Sequence, residues 1–356
     1  MRLQYNKPYE IRTVPVPSEV KGPDMLVKVA VASNCHTDSM VLSGVFDPQS
    51  KPPLTASHEG AGTVVAVGDQ VKNFKVGDRV MCGLPYHPCG ACQDCLGPEN
   101  YRQYCPNVKG HCGVMRDGFF AEYAIVDSRT STLLPDTVTL ESAAPLACAG
   151  RTIWRGVLQA NLKAGEWLCL VGSGGGLGHL GIQFAKALGL KVIGIDARDD
   201  GLALTKETGA DITLDAREGK DQMVQQVQKV TNGAGADATI TISDARNAAG
   251  IACAVTKMHG LMVQIAQPDE VVIPFAELIF RDIRVHGSLI CSPEESKRML
   301  DVIAEHGIKV KTNPFQGLDK IGQLTELVHG GKIQGKAIVI VDQAQIEKEK
   351  EIGARY

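Results

Sequence analysis

The hydrophobic residues of the first part of the chain come in short runs separated by glycine and proline. Residues 25–33, 61–68 and 118–126 are three such runs, rich in valine, alanine and aromatic side chains. Runs of this length, bounded by turn-forming residues, predict β-strands. Up to about residue 145 the pattern therefore predicts a β-rich fold.

The pattern changes at about residue 164, where strand-like runs begin to alternate with helical ones. Residues 179–189 have the pattern of a helix, and short apolar runs occupy residues 166–172, 191–196, 235–242, 260–266 and 283–290. Strands that alternate with helices predict βαβ units, and so a parallel sheet covered by helices. After Ser292, a helical stretch and a last strand at residues 336–342 precede a polar tail, expected to be an exposed helix or a frayed end.

Composition is that of an ordinary globular protein. The 356 residues (38.0 kDa) are enough for two domains, and 44% of them are hydrophobic while 22% are charged. A net charge of −3 leaves no broad basic surface for nucleic acid. No apolar run approaches the ~18 residues of a membrane span. The first residues lack the apolar core of a secretion signal, so we expect a cytoplasmic protein with no membrane partner.

Eleven cysteines are unusual for such a chain. An odd number without a secretion signal argues against a disulfide framework, because the cytosol keeps thiols reduced. Four thiolates at close spacing can enclose a zinc ion tetrahedrally with no position left for water, which is typical of a structural site. The alternative is a set of buried or reactive free thiols. The four clustered residues are Cys89, Cys92, Cys95 and Cys105.

A glycine-rich turn lies between a predicted strand and a predicted helix. Its glycines follow the spacing G-x-x-G-x-x-G at Gly172, Gly175 and Gly178. Glycine lets the backbone approach a pyrophosphate, whose charge then meets a helix N-terminus. Asp196 ends the next strand, 18 residues after Gly178, where a carboxylate would accept hydrogen bonds from a ribose and repel a 2′-phosphate. Together they predict dinucleotide binding, with NAD preferred over NADP. The positive charge of Arg198, two residues after Asp196, acts against that preference. The alternative interpretation is a tight turn that binds no ligand.

A third set of residues is dispersed along the chain. Cys35 begins the sequence Cys-His-Thr-Asp, His58 begins His-Glu-Gly-Ala-Gly, and Cys148 precedes Ala-Gly. Each residue alone is most often a satisfied core residue. Together they offer two sulfurs and one imidazole, which leaves a fourth coordination position for water or substrate.

With these motifs the chain resembles the zinc-dependent medium-chain alcohol dehydrogenases, and most closely their short microbial branch, which is often tetrameric. The resemblance spans nearly the whole chain. It implies an α/β fold in which a Rossmann doubly wound parallel sheet accompanies a β-rich GroES-like catalytic domain. Residues 1–150 would form the catalytic domain with both zinc sites, residues 151–285 the NAD-binding domain, and residues 286–356 a return to the catalytic domain.

The resemblance also implies roles for individual residues around the catalytic zinc. Glu59 would lie beside the metal and could exchange with its water. Asp38 would hold the ring of His58, and Thr37 would form a hydrogen bond with the alcohol oxygen. The implied ligands of the catalytic zinc are Cys35, His58 and Cys148, and those of a structural zinc are the four clustered cysteines.

The resemblance implies cofactor contacts as well. His36 would face the pyrophosphate, and Lys336 stands where the family usually has an arginine that holds it. The backbone of the turn would bind the phosphates through Gly175, Gly176 and Leu177. The residues implied to contact the nicotinamide half are Ile265, Gln267, Ser288 and Ile290.

The sequence departs from the family at several positions. Met40 replaces the histidine that relays the proton to solvent, so the proton must leave by the ribose, His36 or water. Leu84 replaces an aromatic wall, which indicates a larger substrate pocket. Ser57 stands before His58 where a glycine is usual, and Cys95 and Cys105 are two residues further apart.

The leading hypothesis is an NAD(H)-dependent zinc alcohol dehydrogenase or aldehyde reductase. It would transfer hydride between the cofactor and a primary or secondary alcohol or the corresponding aldehyde or ketone, and the substrate is expected to be bulkier or biosynthetic. One alternative is reduction of a conjugated C=C or imine on the same fold. Another is a nucleotide-binding protein that has lost catalysis. By the resemblance, the protein is expected to form a homodimer or homotetramer, with two Zn²⁺ per chain.

Overall fold

The computed structural model describes residues 1–97, 101–331 and 333–356. The chain forms two compact units. One comprises Met1–Arg151 together with Cys291–Tyr356, and the other comprises Thr152–Ile290. We call them the discontinuous unit and the inserted unit.

In the described residues of its first segment, the discontinuous unit contains five strands and three helices. The strands are β1 (Asp24–Ser33), β2 (Glu59–Val67), β3 (Arg79–Met81), β4 (Tyr123–Asp127) and β5 (Thr132–Leu133). The helices are α1 (His36–Ser43), α2 (Gln93–Leu96) and α3 (Leu140–Pro145), with a 3₁₀ turn at Arg102–Tyr104 and a π-helical turn at Leu146–Gly150. The strands of this segment fall in the part of the chain that the sequence predicts to be β-rich.

The inserted unit contains a six-stranded sheet in which every pairing is parallel. Its strands are β6 (Trp167–Val171), β7 (Lys191–Asp196), β8 (Ile212–Asp215), β9 (Ala236–Thr241), β10 (Thr256–Gln264) and β11 (Arg284–Gly287), in the order β11-β10-β9-β6-β7-β8. The helices are α4 (Arg151–Gln159), α5 (Gly178–Ala187), α6 (Asp199–Glu207), α7 (Lys220–Val230), α8 (Ala248–Val255) and α9 (Phe275–Ile279), with a 3₁₀ turn at Ala216–Glu218. The strand order reverses between β6 and β9, and such a switch point is where doubly wound sheets bind ligands.

The chain then returns to the discontinuous unit. It adds α10 (Pro293–His306), β12 (Thr312–Gln316), α11 (Ile321–His329), β13 (Lys336–Ile340) and α12 (Gln343–Glu351), with a 3₁₀ turn at Leu318–Lys320. β13 pairs with β1, which completes a seven-stranded sheet in the order β12-β13-β1-β2-β3-β5, with β4 also on β1. A Rossmann-type parallel sheet in one unit and a β-rich sheet in the other confirm the predicted fold class.

The central position of β1 explains its composition. It pairs with β2 along one side and with β4 and β13 along the other, and nine of its ten residues are buried. Burial of nearly every residue means that both faces of the strand are covered. Such a strand is a near-continuous apolar run rather than an alternating one. Apolar residues from β1, β2 and β13, among them Val29, Val64 and Val339, lie in one core cluster.

Two of the predicted strands cover only about half of the predicted run. The run at residues 118–126 is a strand only from Tyr123, because the N–H groups of Phe119 and Phe120 donate to Ser57 and Ala56 instead. The run at residues 283–290 is a strand only over Arg284–Gly287. Within the described residues, no helix is both long and apolar enough to cross a membrane.

Candidate functional site

Cys35 lies between the end of β1 and the start of α1, where it is the N-cap residue. Its N–H donates to Oδ2 of Asp38 at 2.8 Å, which ties the cap to the first turn of the helix. Asp38 is fully buried, and its carboxylate therefore depends on such donors. The capping of α1 thus brings together Cys35 and Asp38, which are three positions apart in the sequence.

His58 directly precedes β2 and is fully buried. Its Nδ1 lies 3.3 Å from Oδ1 of Asp38. Its Nε2 is buried and has no hydrogen-bond partner within the described residues. A buried polar atom without a partner is costly, and in an imidazole whose other nitrogen is held by a carboxylate this pattern is typical of a metal ligand.

Cys148 lies in the π-helical turn, one of the rare forms of helix that occur frequently at functional sites. The turn follows α3, whose N-cap Thr139 accepts from the N–H of Ser142. Ligand atoms of four residues all lie within 4.8 Å of one another, and these residues are Cys35, His58, Glu59 and Cys148. We call them the catalytic group.

Glu59 is the first residue of β2, and its carboxylate is fully buried. Oε1 accepts from the N–H of Ala149 at 3.0 Å. Nζ of Lys336, at the start of β13, lies 2.8 Å from Oε2 and 3.1 Å from Oε1. The ammonium group of Lys336 therefore contacts Glu59, and its predicted contact with a cofactor pyrophosphate stays a prediction.

The charges of the catalytic group shift one another's titration. A hydrogen bond from Cys148, followed by the positive charges of Lys336 and His58, holds the pKa of Cys35 well below its ordinary value. The same hydrogen bond, together with burial, raises the pKa of Cys148. Burial raises the pKa of Glu59 to about 7, although Lys336 acts in the opposite direction. The titrations of the two cysteines are therefore shifted in opposite directions by their mutual contact.

The donor set fits a zinc ion. Two cysteine sulfurs and one imidazole nitrogen are ligands that zinc prefers, and three protein ligands leave a position open. The unpartnered Nε2 of His58 fits the same assignment. The structure brings together all three residues that the sequence predicts as ligands of a catalytic zinc.

The four clustered cysteines converge around α2 and the 3₁₀ turn that follows. Their sulfurs lie within 4.8 Å of one another, with Cys89 and Cys95 4.0 Å apart and Cys92 and Cys105 3.8 Å apart. Sulfurs at ~2.3 Å from a central zinc are about 3.8 Å from each other in a tetrahedron. All four are free thiols. N–H groups of Ala91 and Cys92 point at the sulfur of Cys89 and lower its pKa to about 6. This four-cysteine group fits a closed zinc site.

The glycine-rich turn connects β6 to α5 inside the inserted unit. Gly172 has a φ of +96°, a conformation that glycine adopts without strain. A Cβ on Gly178 would come within 2.3 Å of the carbonyl oxygen of Ser173, so no larger residue fits there. A Cβ at Gly175, by contrast, would meet only Gly172 O, at 3.5 Å. The turn is therefore closely packed on the protein side and open at Gly175.

Asp196 ends β7 beside this turn. Its carboxylate accepts the N–H of Gly174 at 2.9 Å and the N–H groups of Ala197 and Arg198 at 2.9 and 3.0 Å. The guanidinium of Arg198 lies 3.4 Å from the same carboxylate and donates to the carbonyl oxygen of Gly174 at 3.1 Å. Asp196 thus fixes the turn as well as presenting a negative charge.

The other predicted residues lie in both units. Thr37 is half-buried and His36 is exposed, both in the first turn of α1. The predicted nicotinamide contacts follow the carboxyl ends of two neighbouring parallel strands, β10 and β11. They are Ile265, Gln267, Ser288 and Ile290.

Three features of the site escape the sequence reasoning. Ser57, noted only as a departure, adopts a left-handed backbone and forms hydrogen bonds around the catalytic group. Gly174 lies within the predicted glycine-rich turn but has no predicted role of its own, yet a Cβ there would come within 2.0 Å of the carbonyl oxygen of Gly201. The third is the pairing of Lys336 with Glu59. The uninterrupted glycine run at residues 174–176 indicates that Gly174 is closely packed. No local sequence pattern indicates the contact between Lys336 and Glu59.

Comparison with known proteins gives matches over nearly the whole chain. Residues 21–136 match the family model of the alcohol dehydrogenase GroES-like domain, and residues 176–305 match that of zinc-binding dehydrogenases. An alcohol dehydrogenase of Schizosaccharomyces pombe is 34% identical over 337 residues, which cover 93% of this chain and 94% of the relative.

Two solved structures are also similar. The crystal structure of the alcohol dehydrogenase from the archaeon Aeropyrum pernix superposes with a TM-score of 0.85, at 29% identity, over 95% of this chain and 98% of its own. That of an NAD-dependent alcohol dehydrogenase gives a TM-score of 0.84, at 26% identity, over 93% and 95%.

Proposed function

The chain belongs to the zinc-dependent alcohol dehydrogenase family and is an alcohol oxidoreductase, and from this premise we propose that it transfers hydride between NAD(H) and a bulky alcohol or its carbonyl counterpart. The proposal assigns one zinc ion to Cys35, His58 and Cys148 and a second to the four-cysteine group. It further assigns residues 1–150 and 286–356 to the catalytic domain and residues 151–285 to the NAD-binding domain.

The observation that carries the proposal is the geometry of the catalytic group. Its ligand atoms lie within 4.8 Å of one another, and Nε2 of His58 is buried without a hydrogen-bond partner in the described residues. Three ligands that leave an open position are typical of catalytic zinc, whereas four cysteines are typical of structural zinc.

A zinc ion held there supplies Lewis-acid polarisation of the substrate oxygen, and the nicotinamide supplies the hydride chemistry. Asp38 holds Nδ1 of His58 and thereby fixes the tautomer in which Nε2 carries a lone pair. Thr37 lies two residues after Cys35, in the first turn of α1. We propose that its hydroxyl group accepts the proton of the alcohol while passing its own proton on, and that it donates a proton to the substrate oxygen in the reverse direction.

The route of that proton beyond Thr37 differs from the usual one. Met40 lies on α1, three residues further along, and a thioether cannot carry a proton at neutral pH. We propose that the proton leaves through the ribose, His36 or water. His36 is exposed at the start of α1, which suits an exit to solvent.

Asp196 supports NAD as the preferred cofactor. Its carboxylate is held by three N–H groups of the turn and the following residues, so it stays at the end of β7. A carboxylate fixed there accepts hydrogen bonds from the ribose hydroxyl groups and repels a 2′-phosphate. The proposed phosphate contacts are the backbone of Gly175, Gly176 and Leu177 and the side chain of His36.

Two side chains support a bulky substrate. Leu84 provides a smaller wall than an aromatic residue, and Met40 is flexible. The absence of an ionisable group at position 40 also suits a second candidate, reduction of a conjugated C=C or imine, in which the proton is delivered to carbon or nitrogen. Product analysis separates the two, because the first gives an alcohol and the second a saturated carbonyl compound or an amine.

The edge of the parallel sheet supports self-association. All four residues of β11 are exposed, and shortly before it in the chain Phe275, Ile279 and Phe280 are each 70% exposed. An exposed edge strand is a template for pairing with another chain, and large exposed apolar side chains are typical of an interface. We propose that this surface pairs with a second copy of the chain. We also propose a cytoplasmic location, because all eleven cysteines, each within the described residues, are free thiols.

The test is oxidation of NADH and NADPH by zinc-loaded protein with acetaldehyde, butyraldehyde, benzaldehyde and cinnamaldehyde. We expect two zinc ions per chain, turnover with NADH, and a higher kcat/KM for the aromatic aldehydes. Cys148→Ser should lose one zinc ion and the activity, whereas Cys291→Ser, outside both groups, should keep both. A preference for acetaldehyde would contradict the bulky substrate, and zinc-loaded protein that binds NADH without reducing any aldehyde would contradict carbonyl reduction.

A further inference from the structure

Ser57 has a backbone conformation unusual for serine. Its φ is +70°, in the left-handed region, and the residue is fully buried. The other non-glycine residues with positive φ in the described part of the chain are asparagine, aspartate or histidine, the types most common in this conformation, and none is fully buried. Residues held in such conformations persist where the surroundings determine them, and they cluster at functional sites.

The hydroxyl of Ser57 connects the two strands that lead to the catalytic group. It donates to the carbonyl oxygen of Ser33 at 2.8 Å and accepts the N–H of Glu59 at 3.4 Å. Ser33 and Glu59 are also register partners, at the end of the β1–β2 ladder. The ladder therefore ends on a hydrogen bond from the Ser57 side chain to Ser33. Ser33 lies two residues before Cys35, and Ser57 lies directly before His58.

The backbone of Ser57 is equally constrained. Its N–H donates to Oδ1 of Asp38 at 3.2 Å, the oxygen that also contacts His58. Its carbonyl oxygen accepts the N–H of Phe119 at 2.9 Å. A Cβ on Gly118 would lie 1.9 Å from this carbonyl oxygen, so the opposing chain packs directly on Ser57.

A glycine would adopt this φ without strain but has no hydroxyl. The chain therefore retains a strained serine at a position where the strain brings one evident gain, the bond between β1 and the start of β2. We infer that Ser57 is a positioning residue whose hydroxyl holds Cys35 and His58 at ligand spacing. This inference rests on the proposed function, because it concerns the proposed zinc site.

The test compares Ser57→Gly and Ser57→Ala with the wild-type protein. Both variants lack the hydroxyl, but only glycine relieves the backbone. The control is Ser43→Ala, which removes an exposed serine hydroxyl that donates to Met40 within α1. Zinc release to a chelator is followed at both groups, and the absorption spectrum is recorded with cobalt in the catalytic group.

We expect the metal of the catalytic group to leave about tenfold faster in both Ser57 variants, since losing a contact behind a ligand typically weakens metal binding by that factor or more. The cobalt spectrum should shift in both. Release from the four-cysteine group should stay unchanged, which separates positioning from general destabilisation. Ser57→Gly should unfold at a temperature no lower than Ser57→Ala.

Wild-type release and an unshifted cobalt spectrum in Ser57→Gly would overturn the inference, because the backbone alone would then suffice. This variant decides the matter even if Ser57→Ala fails to fold. Wild-type protein that binds metal only at the four-cysteine group would instead overturn the proposed function, and the role of Ser57 with it.

Discussion

Nζ of Lys336 lies 2.8 Å from Oε2 of Glu59, in the interior of the discontinuous unit, although 277 residues separate the two in sequence. Both side chains are at most 5% exposed. The pairing of β13 with β1 and of β1 with β2 brings the two strand ends together. Part of the environment of the proposed catalytic zinc therefore comes from the last strand of the chain.

Removing one member of this pair should be more harmful than removing both. Lys336→Met leaves a buried carboxylate without its counter-ion, and we expect a loss of about 3–5 kcal/mol in the free energy of unfolding. The double variant Glu59→Gln/Lys336→Met should recover a large part of that loss. Urea unfolding of both proteins in the presence of chelator measures the difference. A single variant as stable as the wild type would show that the pair is solvated in solution.

The acidity of Glu59 should be visible in the stability of zinc-free protein. Burial raises its pKa to about 7, above the ordinary value of 4.5. A carboxyl with a raised folded pKa contributes stability that is fully present below pH 4.5 and is lost as pH rises through 7. We expect the free energy of unfolding to fall by about 3 kcal/mol across this window, and to fall less in Glu59→Gln.

Urea unfolding at pH 5 and pH 8 with chelator present makes this comparison. Glu122→Gln, at an exposed glutamate, serves as the control and should follow the wild type. A stability that rises with pH equally in wild type and Glu59→Gln would contradict the assignment.

Cofactor preference should respond to the charge of Asp196. Asp196→Asn keeps the acceptor oxygen that holds Gly174 but removes the repulsion of a 2′-phosphate, and Arg198 lies 3.4 Å away to receive it. We expect the ratio of kcat/KM for NADH to that for NADPH to fall at least about tenfold. Asp199→Asn, at an exposed neighbour, is the control. An unchanged ratio would place the ribose elsewhere.

The four-cysteine group should be independent of the catalytic group. Cys105→Ser removes one of four thiolates, so we expect the loss of one zinc ion per chain, measured by metal analysis, and easier cleavage nearby in limited proteolysis. The cobalt spectrum of the catalytic group should persist. Loss of both metals in this variant would show that the two groups fold together.

Self-association should depend on the exposed surface beside β11. Phe280→Glu places a charge among apolar side chains that are 70% exposed, and we expect a smaller species in light scattering after size exclusion. Ile11→Glu changes a 60% exposed apolar residue elsewhere and should leave the mass unchanged. Equal masses for wild type and Phe280→Glu would exclude this surface.

Local sequence patterns predict the elements whose signals are local. The run at residues 191–196 is β7 (Lys191–Asp196) residue for residue, and the helical pattern at residues 179–189 corresponds to α5 (Gly178–Ala187). The spacing of the four cysteines predicts their convergence because a short segment holds them all.

Contacts between distant segments are a different matter. Lys336 was predicted to hold a pyrophosphate, and nothing around it in sequence indicates Glu59 as its neighbour, since the contact depends on the order of strands in the sheet. The same holds for Ser57, whose significance is a backbone angle and a bond to Ser33. The family resemblance was what connected Cys35, His58 and Cys148; the residues themselves left that grouping open.

The discontinuous unit also has a consequence for the order of events during synthesis. Its sheet needs β13, and the N–H of Thr139 donates to the carbonyl oxygen of the terminal residue, Tyr356. The inserted unit is an uninterrupted segment, so it emerges from the ribosome before β13 and Tyr356 have been synthesised. The catalytic group therefore lacks Lys336, the counter-ion of Glu59, until β13 has been synthesised.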